Sequence, residues 1–156
     1  MLPLTRETVR DFYSERRIAV VGASRDPRKF GRQVLEALAA RGFEAVPVNP
    51  RADRVGDRPC HRTLAAIPGG VGAAIVLVPP AEQREVVRQA AEAGLRKVWI
   101  HDHPGKGVAD PGVLKACREA GIEPIAGYCP LMFMPGTGLP HRIHRGILGL
   151  LGRLPR

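Results

Sequence analysis

The stretch Arg17-Ile-Ala-Val-Val21, continuing through Gly22-Ala23-Ser24-Arg25-Asp26-Pro27-Arg28-Lys29-Phe30-Gly31, decides the fold. Its first five residues form a short, continuous apolar run rich in β-branched side chains, the pattern of a buried strand. Gly22-Ala23-Ser24 breaks that run into a turn. From Phe30 to Arg41, apolar residues at Val34, Leu35, Leu38 and Ala39 keep a helical spacing that stops at Gly42. Strand, polar loop and helix in that order are one unit of an alternating α/β fold.

The same succession recurs down the chain. Phe43 to Val48 reads as a strand closed by Asn49-Pro50, and Ala73 to Val78 as a strand closed by Pro79-Pro80. Ala81 to Ala93 is a helix stopped by Gly94, Lys97 to Ile100 a fourth strand, Pro111 to Ala120 a helix ended by Gly121, and Ile122 to Ala126 a fifth strand. Arg51 to Arg62 reads as a polar loop, with at most a short helix from Thr63 to Ile67. The predicted architecture is a single α/β domain, a Rossmann-like, doubly wound sheet of five parallel strands at residues 17–130. A helical segment precedes it at 1–16, and a C-terminal tail follows at 131–156. In that tail Ile143, Ile147, Leu150, Leu151 and Leu154 share one face of a basic amphipathic helix.

A chain of 156 residues is the size of one domain. Its 44% hydrophobic and 25% charged residues exclude disordered and collagen-like classes. No run approaches the roughly 20 apolar residues needed to cross a bilayer. Met1 to Arg17 alternates charges with apolar residues and lacks a signal-peptide stretch, so the expected location is the cytoplasm. Cys60, Cys117 and Cys129 form no C-x-x-C pair, which indicates neither a disulfide framework nor a zinc ribbon.

Lys and Arg outnumber Asp and Glu by 24 to 15, for a formal charge of +9. An anionic partner follows: nucleic acid, a membrane surface or a phosphate-bearing small molecule. With aromatic residues at 4% and no interleaving of Arg with aromatics, a stacking surface for single strands is not indicated, which argues against nucleic acid. Membrane association is likewise the weaker reading, although a basic amphipathic tail is also what an interfacial helix needs. A homodimer is the default expectation for a small domain of this type.

In a doubly wound sheet the ligand sits past the C-terminal ends of the strands, where strand order reverses. The first loop joins a buried strand to a helix N-terminus, where free backbone N–H groups and the helix dipole favour a phosphate. Gly22 permits a tight turn, Ser24 can donate its hydroxyl, and Arg25, Arg28 and Lys29 add positive charge, so Gly22, Ala23, Ser24, Arg25, Lys29, Phe30 and Gly31 are candidate binding residues. The dinucleotide fingerprint G-x-G-x-x-G is absent, because residue 24 is Ser and the loop is longer before Gly31. Where an NAD-binding chain places Asp or Glu at the end of its second strand, this one has Val48-Asn49-Pro50.

Taken together, Val20-Val21-Gly22-Ala23-Ser24, the turn from Pro27 to Gly31, Pro47-Val48-Asn49-Pro50 and Val78-Pro79-Pro80 resemble the stand-alone CoA-binding proteins. Those proteins are similar to the N-terminal domain of the succinyl-CoA synthetase alpha subunit. The resemblance covers residues 16–130. It implies that coenzyme A or an acyl-CoA is the ligand, with its phosphates on Gly22, Ser24 and Arg25. It places Asn49 and Pro50 on the adenosine side, and Val78, Pro79 and Pro80 along the pantetheine path. Cys129 matches a cysteine common after the fifth strand in these proteins. The loop from His101 to Gly107 departs from the family's pattern. The phosphorylated histidine of the synthetase lies in a domain outside the resemblance, so ligase chemistry does not carry over.

Other readings stay open. His101 and His103 could converge on a metal only with a third ligand such as Cys129 or His144, and the spacing matches no recognised site; His101 is kept as a candidate contact to CoA. No complete acid, base and nucleophile set can be assembled, so a non-catalytic or regulatory binding protein is the first expectation. A small NAD(P)-dependent oxidoreductase is one alternative. A protein that docks nucleic acid or another partner through its basic tail is the other.

Overall fold

The computed structural model of the protein describes residues 3–101 and 109–136. The tail helix, the histidines at 103, 141 and 144 and most of the fourth-strand loop lie outside those residues. In chain order the elements are α1 (Arg6–Phe12), β1 (Arg17–Val21), α2 (Phe30–Ala39), β2 (Glu44–Val48), β3 (Arg54–Val55) and β4 (Arg58–Pro59). There follow β5 (Ala73–Val76), α3 (Pro80–Glu92), β6 (Lys97–Ile100), α4 (Pro111–Glu119), β7 (Ile125–Ala126) and α5 (Pro130–Phe133).

Five strands pair in the order β2-β1-β5-β6-β7, every neighbour parallel. Because side chains alternate along a strand, each one feeds two cores. Ile18, Val20, Ile75 and Trp99 face one side with Val34, Leu35 and Leu38 of α2, Phe12 of α1 and Phe133 of α5. Ala19, Val21, Val76, Val98 and Ile100 face the other, with Val86, Val87 and Ala90 of α3 and Val113 and Cys117 of α4. Helices therefore cover both faces, which explains why the strands read as continuous apolar runs. The five-stranded, doubly wound parallel sheet expected from the sequence is what the chain forms.

Boundaries shift for identifiable reasons. Gly94 and Gly121 end α3 and α4 with φ of 71° and 67°, a backbone region open to glycine at little cost. Leu95 N–H then donates to the Ala90 carbonyl and Ile122 N–H to the Cys117 carbonyl, closing both helices in the same way. That capping bond draws Ile122 out of the sheet, so β7 keeps only Ile125 and Ala126. The region expected as a polar loop contains the antiparallel hairpin β3–β4, turned at Gly56. It covers the outer edge of β2: His61 N–H donates to the Pro47 carbonyl and Asn49 N–H to the His61 carbonyl. Residues 63–67 form a turn, with Ala66 and Ile67 N–H reaching the Thr63 and Leu64 carbonyls at 3.3 Å. No helix among the described residues is long and apolar enough to cross a membrane.

Candidate functional site

Strand order reverses between β1 and β5: the crossover through α2 leads outward to β2, whereas those through α3 and α4 lead the other way to β6 and β7. The loops after β1 and β5 flank that point, where a doubly wound sheet opens its ligand crevice. They touch there. Gly22 adopts φ 94°, and a Cβ on it would stand 3.2 Å from the Leu77 carbonyl carbon and 3.3 Å from Val78 Cγ1. Gly22 N–H donates to the Val48 carbonyl at 3.0 Å, which holds the turn over β2 as well.

The loop from Gly22 to Lys29 is folded by its own side chains. Ser24 Oγ accepts from Asp26 N–H at 3.1 Å, and Asp26 Oδ1 accepts from Arg28 N–H at 2.9 Å and from Arg28 Nε at 3.1 Å. The Arg28 guanidinium and N–H hold the Asp26 carboxyl below its ordinary pKa. Lys29 is the N-cap of α2 and supplies no side-chain cap. Among the described residues, the N–H groups of Ser24, Arg25, Phe30 and Gly31 donate to nothing. Two unsatisfied donors at a helix N-terminus, with two more on the loop that leads to it, can hold an anion.

The surrounding cations divide into two sets. Arg28 is tied to Asp26, Arg32 and Arg58 to Glu36, and Arg62 to Asp53. By contrast, the exposed side chains of Arg25, Lys29 and Arg51 form no ion pair or hydrogen bond among the described residues. Sequence reasoning passed over Arg51. The signal was its position directly after Asn49-Pro50, where Arg51 N–H donates to Asn49 Oδ1 at 2.9 Å and fixes the turn.

The other expected site residues fall as follows. Ala23 is fully buried, and its carbonyl accepts from Asn49 Nδ2 at 2.8 Å. Gly31 sits against the Gly22 carbonyl, so its role includes close packing of α2 on the turn. Pro50, Pro79 and Pro80 are exposed at the rim, whereas Val78 is nearly buried. His101, at the end of β6, lays its ring against Phe30 with centroids 4.9 Å apart. Its Nδ1 is 3.3 Å from the Tyr128 carbonyl, which can only accept, so that nitrogen carries the hydrogen. Cys129 follows directly, half-buried, and burial pushes its thiol pKa up. The structure thus brings Phe30, His101 and the Tyr128 carbonyl together, and joins Asn49 to the first loop. Among the described residues no group of three His, Cys, Asp or Glu could hold a metal.

Comparison with known proteins gives the following. The family described as CoA binding domain matches residues 16–135. The alpha subunit of the ADP-forming acetate–CoA ligase II of Pyrococcus furiosus is 36% identical over 90 residues, 57% of this chain and 20% of that one. The chain spans a fifth or less of the length of the curated relatives it matches. A conserved hypothetical protein from Pyrococcus furiosus superposes with a TM-score of 0.65 at 36% identity, over 73% of this chain and 95% of that one. A hypothetical protein from Pyrococcus horikoshii superposes with a TM-score of 0.74 at 28% identity, over 94% of both chains.

Proposed function

The chain belongs to the CoA binding domain family, whose ligand is coenzyme A, and on that premise we propose that it holds CoA or an acyl-CoA with the diphosphate on the first loop. The observation that carries this reading is the set of unsatisfied N–H groups of Ser24 and Arg25 in the first loop and of Phe30 and Gly31 at the start of α2. A helix N-terminus offers partial positive charge and donors to a phosphate together. Arg25 and Lys29 add free cations on the same loop. Arg51, across from them on the loop after β2, suits the 3′-phosphate that distinguishes CoA from NAD. An acidic residue at this place would accept from a ribose hydroxyl and repel that phosphate; Asn49 carries no charge to repel it, and its Oδ1 and Nδ2 each hold a bond within the protein.

The proposed role is binding, without turnover by this chain. Cys129 packs against the core on the Tyr13 side, and burial raises its thiol pKa, the opposite of what an activated nucleophile needs. Calorimetric titration with CoA, with NAD and ADP as controls at two salt concentrations, tests the reading. Binding of CoA in clear preference to NAD, weakened by salt, is expected; equal weak binding of all three overturns it.

A further inference from the structure

We infer that Asn49 is a positioning residue, which fixes the peptide between Ala23 and Ser24 so that the Ser24 N–H faces the crevice. The inference rests on the reading of the first loop as the phosphate site. Asn49 is pinned by its own surroundings: its N–H donates to the His61 carbonyl at 2.9 Å, and its carbonyl accepts from Ala52 N–H at 3.3 Å. Its side chain spans two loops, Oδ1 accepting from Arg51 N–H at 2.9 Å and Nδ2 donating to the Ala23 carbonyl at 2.8 Å. Those partners fix the orientation of the amide, because the carbonyl only accepts and the N–H only donates.

In a trans peptide the C=O and N–H of one unit point in opposite directions, and no described peptide bond is cis. Holding the Ala23 carbonyl toward the loop after β2 therefore turns the Ser24 N–H away from it. That N–H is one of the unsatisfied donors of the candidate site. Only a group with a donor and an acceptor on one short plane can do this: Asp lacks the donor, and Ala lacks both. The resemblance placed Asn49 on the adenosine side; its two side-chain bonds to the protein backbone give it this second role.

The test compares Asn49→Asp, Asn49→Ala and Glu36→Gln in the full chain, by thermal midpoint, CoA titration and the 15N-amide signal of Ser24. Glu36→Gln releases the hairpin from α2 without touching Ala23, and serves as the stability control. Both Asn49 variants are expected to move the Ser24 signal before ligand is added and to weaken CoA binding about tenfold, the loss of roughly one charge-assisted hydrogen bond. Glu36→Gln is expected to bind CoA within about twofold of wild type at a comparable midpoint loss. An Asn49→Ala protein with wild-type affinity and an unmoved Ser24 signal overturns the inference, as does affinity that merely follows midpoint across all three variants. Wild-type protein that takes up no CoA instead overturns the phosphate-loop reading beneath it, before any variant is made.

Discussion

Gly31, the second residue of α2, lies so close to the Gly22 carbonyl oxygen that a Cβ at position 31 would overlap it. The obstacle is backbone, so no rotamer change relieves it. Gly31→Ala must push the start of α2 off the turn, a form of overpacking that costs about 1–3 kcal/mol. The same shift displaces the N–H groups of Phe30 and Gly31. Denaturant unfolding is expected to show a loss of that size, and titration below the variant's own unfolding transition a fall in CoA affinity; full affinity would mean that the helix start does not contact the ligand.

Free and paired cations are expected to differ. Arg25→Ala, Lys29→Ala and Arg51→Ala should each weaken CoA binding, by about 1 kcal/mol or roughly fivefold for a partly exposed charge contact. The double variant Asp26→Asn with Arg28→Ala removes one charge of each sign and should leave affinity within about twofold. Dephospho-CoA sharpens the assignment: if Arg51 meets the 3′-phosphate, Arg51→Ala lowers affinity for CoA and leaves that for dephospho-CoA unchanged. Equal losses on both ligands would move Arg51 to the diphosphate.

The two cores and the ligand end of the sheet were legible because one physical signal marks each. Apolar runs closed by Gly or Pro gave β1, β2 and β5, and the short run Val98-Trp99-Ile100 gave β6, since a strand buried on both faces has no polar alternation to blur it. The hairpin was not legible: Arg54-Val55 and Arg58-Pro59 are two residues each, and only Val55 is buried among them. Nor could the sequence divide the cations, because pairing Arg58 with Glu36 across 22 positions depends on the hairpin folding over α2. Asn49 was found as a site residue through the family resemblance, but its partner, a backbone carbonyl 26 positions away, leaves no mark in side-chain pattern.

The hairpin's attachment is expected to weaken in acid. Glu36 on α2 receives Arg58 at 3.0 Å and Arg32 at a contact of 2.6 Å, and these hydrogen bonds lower its carboxyl pKa from 4.5. A carboxylate held low stabilises the fold above its unfolded pKa, and that contribution is lost as pH falls through the folded value. Glu36 is nearly half exposed, so the effect is modest, below about 1 kcal/mol. Calorimetric midpoints of wild type and Glu36→Gln should differ at pH 7, and the gap should narrow as pH falls below the unfolded carboxylate pKa and through the lowered folded one. A gap that does not change with pH would assign the difference to packing.

Cys129 offers a last test, through the thiol of CoA itself. A mixed disulfide between the two requires the thiolate of one partner to attack the oxidised form of the other, with a thiolate leaving. Burial raises the Cys129 thiol above its ordinary pKa of 9.0, so at pH 7 its thiolate fraction falls below that of an exposed cysteine. Incubation with CoA disulfide should therefore give little adduct at pH 7 and progressively more toward pH 9, read by intact mass. The adduct should disappear in Cys129→Ser, while reduced CoA still binds. Rapid, stoichiometric adduct at pH 7 would show instead that the ligand itself activates the thiol, and would make this cysteine part of the chemistry of the site.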